Sequence, residues 1–185
     1  IVSNQCRIRV TSYDLVSLSD TDTSDVFGIF DGVDPEVTIL APGANSSIPE
    51  YQNVTVSWIA NDNIELDSIF IYYSNSSGAE FLYMGQVPHA YSEYSFEIPP
   101  GVTDSAQIRL VASDIYDNYG QDDSDYFMVT DNSDPSVSLM DLEEVHIGDN
   151  VVINWSASDN TGLDYHILSF STDGENFFYL DTLEG

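Results

Sequence analysis

Basic residues are scarce in this chain. Three Lys and Arg stand against 32 Asp and Glu in 185 residues, a formal net charge of −29. Such a surface repels nucleic acid and anionic membrane faces, which argues against both as partners, and it attracts cations. Cysteine is almost missing: Cys6 is alone, so no disulfide framework can be drawn. Histidine is sparse too, and His89, His146 and His166 are scattered with no ligand spacing, which argues against zinc. No apolar run approaches the roughly 18–20 residues of a membrane helix, and no basic-plus-apolar leader stands at Ile1. The expectation is a mature or excerpted segment with no membrane span. Nucleophile elbow, phosphate loop and Ser/His/Asp grouping are all lacking. Carboxylates lie in polar loops rather than the apolar pocket that glycoside hydrolysis needs, so enzyme chemistry is not expected.

What the chain does contain is ordinary in amount, with 42% hydrophobic and 12% aromatic residues, enough for a packed core. Its order is not ordinary. Residues 9–37 match residues 109–137 without a gap at a spacing of 100, pairing Asp14/Asp114, Asp22/Asp122, Ser24/Ser124, Asp25/Asp125, Phe27/Phe127, Asp31/Asp131, Asp34/Asp134 and Pro35/Pro135. A second register pairs Trp58/Trp155, Ala60/Ala157, Asp62/Asp159, Asn63/Asn160 and Asp67/Asp164, three residues closer, with a short deletion near Gly43 to Glu50 accounting for the shift. The chain therefore divides into the tail of one repeat (1–33), one whole repeat (34–133) and the head of another (134–185).

Within the whole repeat, short alternating runs separated by Gly, Pro, Asn and Asp clusters predict seven strands: Glu36–Leu40, Asn53–Ile59, Ser68–Ser74, Phe81–Gly85, Tyr94–Ile98, Gln107–Ser113 and Tyr126–Thr130. No segment keeps a helical period. The fold class is all-β, tandem immunoglobulin-like β-sandwich modules of about 100 residues with a tryptophan on the second strand.

Four stretches carry a family likeness: Ser57-Trp58 through Asp62-Asn63 to Leu66-Asp67, Tyr72-Tyr73-Ser74 (Ser169-Phe170-Ser171 in the next copy), Ile108-Arg109-Leu110 to Asp114, and Asp122 to Val129. Together they resemble the extracellular immunoglobulin-like repeats of large secreted or surface proteins of bacteria and archaea. The resemblance implies a spacer, adhesion or surface-layer module, sometimes an accessory domain beside an enzyme. The antibody-type cysteine pair is absent, which sets that branch aside.

In such a sandwich three acidic segments are expected at one pole, where modules join. Asp31 and Asp34 come from the linker, Asp62, Asn63 and Asp67 from the loop after the second strand, and Asp114, Asp117, Asn118, Asp122 and Asp125 from the loop between the last two. The next joint repeats the set with Asp131, Asp134, Asp159, Asn160 and Asp164. Oxygen-rich clusters of carboxylate and amide suit Ca²⁺, and carboxylates this close resist ionising together unless a cation neutralises them. The competing readings are turn-forming Asp and Asn and a salt-adapted acidic surface. Asp20-x-Asp22-x-Ser24 opens like a calcium loop, but Asp25 stands where glycine is required.

Other features are weaker. Tyr72, Tyr73, Tyr83, Tyr91 and Tyr94 would offer sugar rings a platform if they shared a face. Ser171-Thr172-Asp173-Gly174 reads as a plain hairpin turn. Asn45, Asn53, Asn75 and Asn154 head N-glycosylation patterns compatible with export. The partial repeats at both ends leave two readings open: a window on a longer array, or neighbouring subunits that complement each other head to tail through strand addition. The function expected is a structural repeat of a secreted or cell-surface protein, in a surface layer, adhesin stalk or extracellular filament, its partners being homotypic modules. The alternative is a carbohydrate-binding accessory module of a larger secreted enzyme.

Overall fold

The structure, a computed structural model describing residues 1–185, contains strands and no helix. The first segment holds β1 (Ser3–Cys6), β2 (Arg9–Tyr13), β3 (Ser19–Thr23) and β4 (Phe27–Ile29). The middle holds β5 (Glu36–Ala41), β6 (Ser47–Pro49), β7 (Asn53–Asn61), β8 (Leu66–Ser74), β9 (Leu82–Pro88), β10 (Glu93–Glu97), β11 (Thr103–Asp114), β12 (Tyr119–Asp123) and β13 (Phe127–Thr130). The last holds β14 (Ser136–Leu139), β15 (Trp155–Ser158), β16 (Tyr165–Phe170) and β17 (Phe178–Glu184).

The middle strands form a sandwich of two sheets, ordered β10-β7-β5 and β6-β13-β11-β8-β9, with β12 hydrogen-bonded to the upper half of β11. Alternation decides which side chains face inward. Along β7, Val54, Val56 and Trp58 are buried, while Thr55 between them is exposed and bonds Ser95 across the pair. Ile69, Ile71 and Tyr73 of β8 and Ile108, Leu110 and Ala112 of β11 meet them from the facing sheet. β6 runs parallel to β13 and ties the start of the module to its last strand.

Two strands differ from the sequence expectation. The short β6 was not anticipated, since Ser47-Ile48-Pro49 is too brief to show a period. The segment from Asp114 to Asp125, expected as a loop, is a turn followed by β12, whose polar residues hid the strand. Apolar patterning finds buried strands, and β12 is largely exposed.

Strand pairs in the three segments can be set side by side. Ser3↔Ile29 and Cys6↔Phe27 in the first segment mirror Thr103↔Val129 and Ala106↔Phe127. Val10↔Asp22 mirrors Leu110↔Asp122. In the last segment Val137↔Ala157 and Leu139↔Trp155 mirror Val37↔Ala60 and Ile39↔Trp58. The β16–β17 hairpin is one residue shorter than β8–β9, so Gly185 donates to the Asp164 carbonyl as His89 does to that of Asp67. Burial is what the segments do not share. Leu110 is fully enclosed, whereas its counterpart Val10 is 62% exposed. Val137, Leu139, Trp155 and Ile167 line an apolar groove of about 450 Å³.

Candidate functional site: an acidic joint at the head of the middle module

Local chemistry shapes each acidic corner first. Asp114 closes the β11–β12 turn: its Oδ1 accepts the Tyr116 and Asn118 backbone N–H groups at 2.8 Å each, and its Oδ2 accepts the Asn118 side-chain amide at 2.8 Å. The turn needs a positive φ of 65° at Asp117, which aspartate tolerates. Asp14 repeats the arrangement with Val16 and Leu18. Asp62 follows β7 and accepts the Ile64 N–H at 2.8 Å on Oδ2. Asp31 turns the linker by accepting the Gly32 and Val33 N–H groups on Oδ1, which also takes the Asn63 amide at 3.1 Å.

Folding then brings three of these corners together. One oxygen each from Asp31, Asp62 and Asp114 lie within 4.8 Å of one another. Two oxygens on opposite sides of one Ca²⁺ are about 4.8 Å apart, twice a typical Ca–O distance of about 2.4 Å. Asp114 is 2% exposed. Asp31 Oδ2 and Asp62 Oδ1 are shut away from solvent with no hydrogen-bond partner. Burial pushes the Asp114 carboxyl up, but the side-chain and backbone N–H of Asn118 and the N–H of Tyr116 outweigh it and hold the group below its ordinary value. At Asp114 the turn supplies donors for the ionised form, which offsets burial.

The remaining expected residues are distributed as follows. Asn63 and Asn118 border the cluster as amide donors to Asp31 and Asp114. Asp34 is exposed beside it, in a shallow cleft with Glu36, Asn61 and Asp62. Asp67 is exposed on β8 and takes the Ser68 hydroxyl. Asp122 and Asp125 lie outside the cluster. Asp122 sits opposite Leu110, about four residues or ~13 Å down the strand from Asp114. There its Oδ2 accepts the Ile39 N–H at 2.8 Å, joining β12 to β5. Asp125 is exposed beyond it, its carbonyl taking the Ser124 hydroxyl. The hairpin at this position carries both away from the pole.

The second joint has different partners. Thr161 bridges its acids, donating its hydroxyl to Asp131 Oδ2 at 2.9 Å and Asp159 Oδ2 at 2.7 Å. Asp159 Oδ1 is buried without a partner. Asn160 donates to Glu50 at 2.7 Å. Asp134 and Asp164 are exposed. The N–H of Ser133 and the Thr161 hydroxyl hold the Asp131 carboxyl below its ordinary value, against a smaller effect of burial. Glu50, Ser133 and Thr161 were not anticipated, and Ile147 holds the place of Glu50 in the next copy, so the repeat offered no signal for it.

The tyrosines do not share one face. Tyr73 is buried among core residues, where burial pushes its phenol up to about 12. Tyr94 bonds the Met84 carbonyl, while Tyr72 and Tyr83 stack edge to face at 5.6 Å. Asp20 and Asp22 lie in β3, part of a hairpin with β2. Asp173 forms the expected turn, accepting from Asn176, Glu175 and Ser171, donors that hold its carboxyl far below the usual range.

No helix is long and apolar enough to cross a membrane. No curated protein matches the chain. Among solved structures it is similar to fibronectin(III)-like modules of Clostridium thermocellum CbhA, with 16% identity and a TM-score of 0.47, over 66% of this chain and 60% of that one. Residues 35–117 match the family model described as bacterial Ig domain. Two facing sheets, an inward tryptophan on the second long strand and a last strand tied in parallel to the first segment of the module accord with that match. The middle of this chain therefore has an immunoglobulin-like sandwich fold and, over residues 35–117, is similar to the bacterial Ig domain family.

Proposed function

We propose that the chain is a structural repeat segment of a secreted or cell-surface protein, in a surface layer, stalk or filament, whose first joint binds Ca²⁺. The observation that carries the calcium reading is the pair of enclosed, unpartnered oxygens on Asp31 and Asp62 beside buried Asp114. Unpartnered carboxylate oxygens held this close repel one another, and a divalent ion between them removes both the repulsion and the missing hydrogen bonds. Asp31 belongs to the linker and the other two to the module, so a shared ion would fix the angle at which one module meets the next. The oxygen-only donor set favours a hard cation over zinc.

Calcium at about 100 times its Kd should stabilise the folded module by about 2.7 kcal/mol, or roughly 10–20 °C in Tm. Calorimetry with calcium, then with chelator, tests this, and an unchanged Tm in millimolar calcium overturns it. Molar sodium chloride acting where calcium does not would indicate salt adaptation instead.

Homotypic partners belong to the same reading. Ile8 and Val10 are counterparts of Ile108 and Leu110, which pair with Tyr73 and Ile71 in the middle module. Leu168 and Phe170 are counterparts of Ile71 and Tyr73. Neighbouring repeats of the array, in the same or another copy, cover these faces. Light scattering of the isolated chain across a concentration series should show head-to-tail association, and a strict monomer counts against it. The carbohydrate reading retains Tyr72 and Tyr83 as a stacked pair and Tyr91 as a separate exposed ring, and glycan binding lost in Tyr83→Ala would favour it.

A further inference from the structure

Glu50 has no exposed surface, yet no basic side chain pairs with it. It sits in the turn between β6 and β7, at the opposite end of β7 from Asp62. The nine residues of β7 put the two poles about 30 Å apart. A buried carboxylate without a counter-cation must be met by hydrogen-bond donors. Three meet it here. The Gly101 N–H donates to Oε2 at 2.8 Å from within the module. The Ser133 hydroxyl donates to Oε1 at 2.5 Å from the linker, and the Asn160 amide donates to the same oxygen at 2.7 Å from the segment beyond it.

We propose that the Glu50 pole is a docking surface for the head of the repeat that follows, locked by charged hydrogen bonds to Ser133 and Asn160 that need no metal. Asn160 comes from the next repeat and Ser133 is the last residue before it, so an undocked next segment would leave Oε1 without the Asn160 amide. The Glu50 N–H donates to the Thr130 carbonyl, anchoring the socket to the last strand of the module just before the linker leaves. The partner is specified by chemistry: a hydroxyl two residues after the linker aspartate, and an asparagine directly after the aspartate that follows the tryptophan strand. At the first joint the hydroxyl position is Val33, and Asn63 turns to Asp31 instead. The lock at Glu50 uses none of Asp31, Asp62 and Asp114, so it stands independently of calcium there.

Nitroxide labels on Glu93→Cys and Glu175→Cys in a Cys6→Ser background report the arrangement of the whole chain by pulsed electron resonance, recorded in EDTA. Both label positions are exposed. The expected result is one narrow distance distribution in the otherwise unmodified chain, broadening at least twofold in Glu50→Gln and in the double variant Ser133→Ala/Asn160→Ala. Glu50→Gln also disturbs the Gly101 contact, so the double variant decides if that protein unfolds. The proposal is overturned if the double variant stays as narrow as its parent, or if it unfolds the middle module. A parent distribution that is broad in EDTA and narrows only with calcium overturns it too, while leaving the cation reading standing.

Discussion

Asp62 carries one oxygen with a backbone partner and one with none, and this asymmetry makes it the cleanest probe of the acidic joint. Asp62→Asn keeps an acceptor for the Ile64 N–H and removes a charge. Its Tm without calcium should hold or rise by roughly a few degrees as repulsion falls, and the calcium-induced shift should vanish. A variant that still responds to calcium like its parent would place the ion elsewhere. Asp114→Ala is a poorer probe because it also releases the β11–β12 turn.

Acid should weaken the module by a defined route. The carboxyls of Glu50, Asp114 and Asp131 lie below their ordinary values in the folded chain, held there by donors around the ionised form. A depressed folded pKa stabilises above the unfolded value and is lost as pH falls through the folded one. Urea midpoints should therefore stay level from pH 7 to about 5 and drop below about 4. Tyr73 gives a prediction of opposite kind. Its hydroxyl is buried without a partner, so Tyr73→Phe should leave stability unchanged or raise it by up to about 1 kcal/mol in denaturant unfolding.

Strand β12 shows how one element can serve both core closure and joint. Leu110 on its neighbour β11 is fully enclosed, and Leu110→Ala should cost about 2–5 kcal/mol. Gly120 on β12 faces the linker so closely that a Cβ there would stand 1.7 Å from the Pro35 carbonyl oxygen. Backbone cannot move aside as a flexible side chain can. Gly120→Ala should push the linker off and cost about 1–3 kcal/mol. Its counterpart Asp20 is exposed, and Asp20→Ala should change stability by less than about 0.5 kcal/mol. Equal losses at the two positions would contradict this account of the linker contact.

At the scale of the whole chain, the first joint gathers Asp31, Asp62 and Asp114, and the second carries the hydrogen-bonded socket of Glu50, Ser133 and Asn160. Calcium at the first joint and a metal-free lock at Glu50 together predict a two-step response. Chelator should loosen the first joint and leave the second unaffected, which labels across each joint would separate.

The repeat, the sandwich and most of its strands could be read from the order of residues, because each rests on local alternation and on matches between positions a fixed distance apart. Val54, Val56 and Trp58 declare a buried face without any partner in view. Asp31, Asp62 and Asp114 were legible as a group for the same reason, since turns place aspartate and the fold places turns at poles. Asp122 was misplaced, because a polar strand carries no periodic signal and a hairpin moved it down the sheet. Glu50 had no signal at all. Its role comes from Ser133 and Asn160, which stand 83 and 110 residues away and meet it only once two sheets, a linker and a second module have closed around one carboxylate. Patterns along a chain record neighbours on one face, whereas a buried charge is satisfied by whichever donors the finished fold delivers.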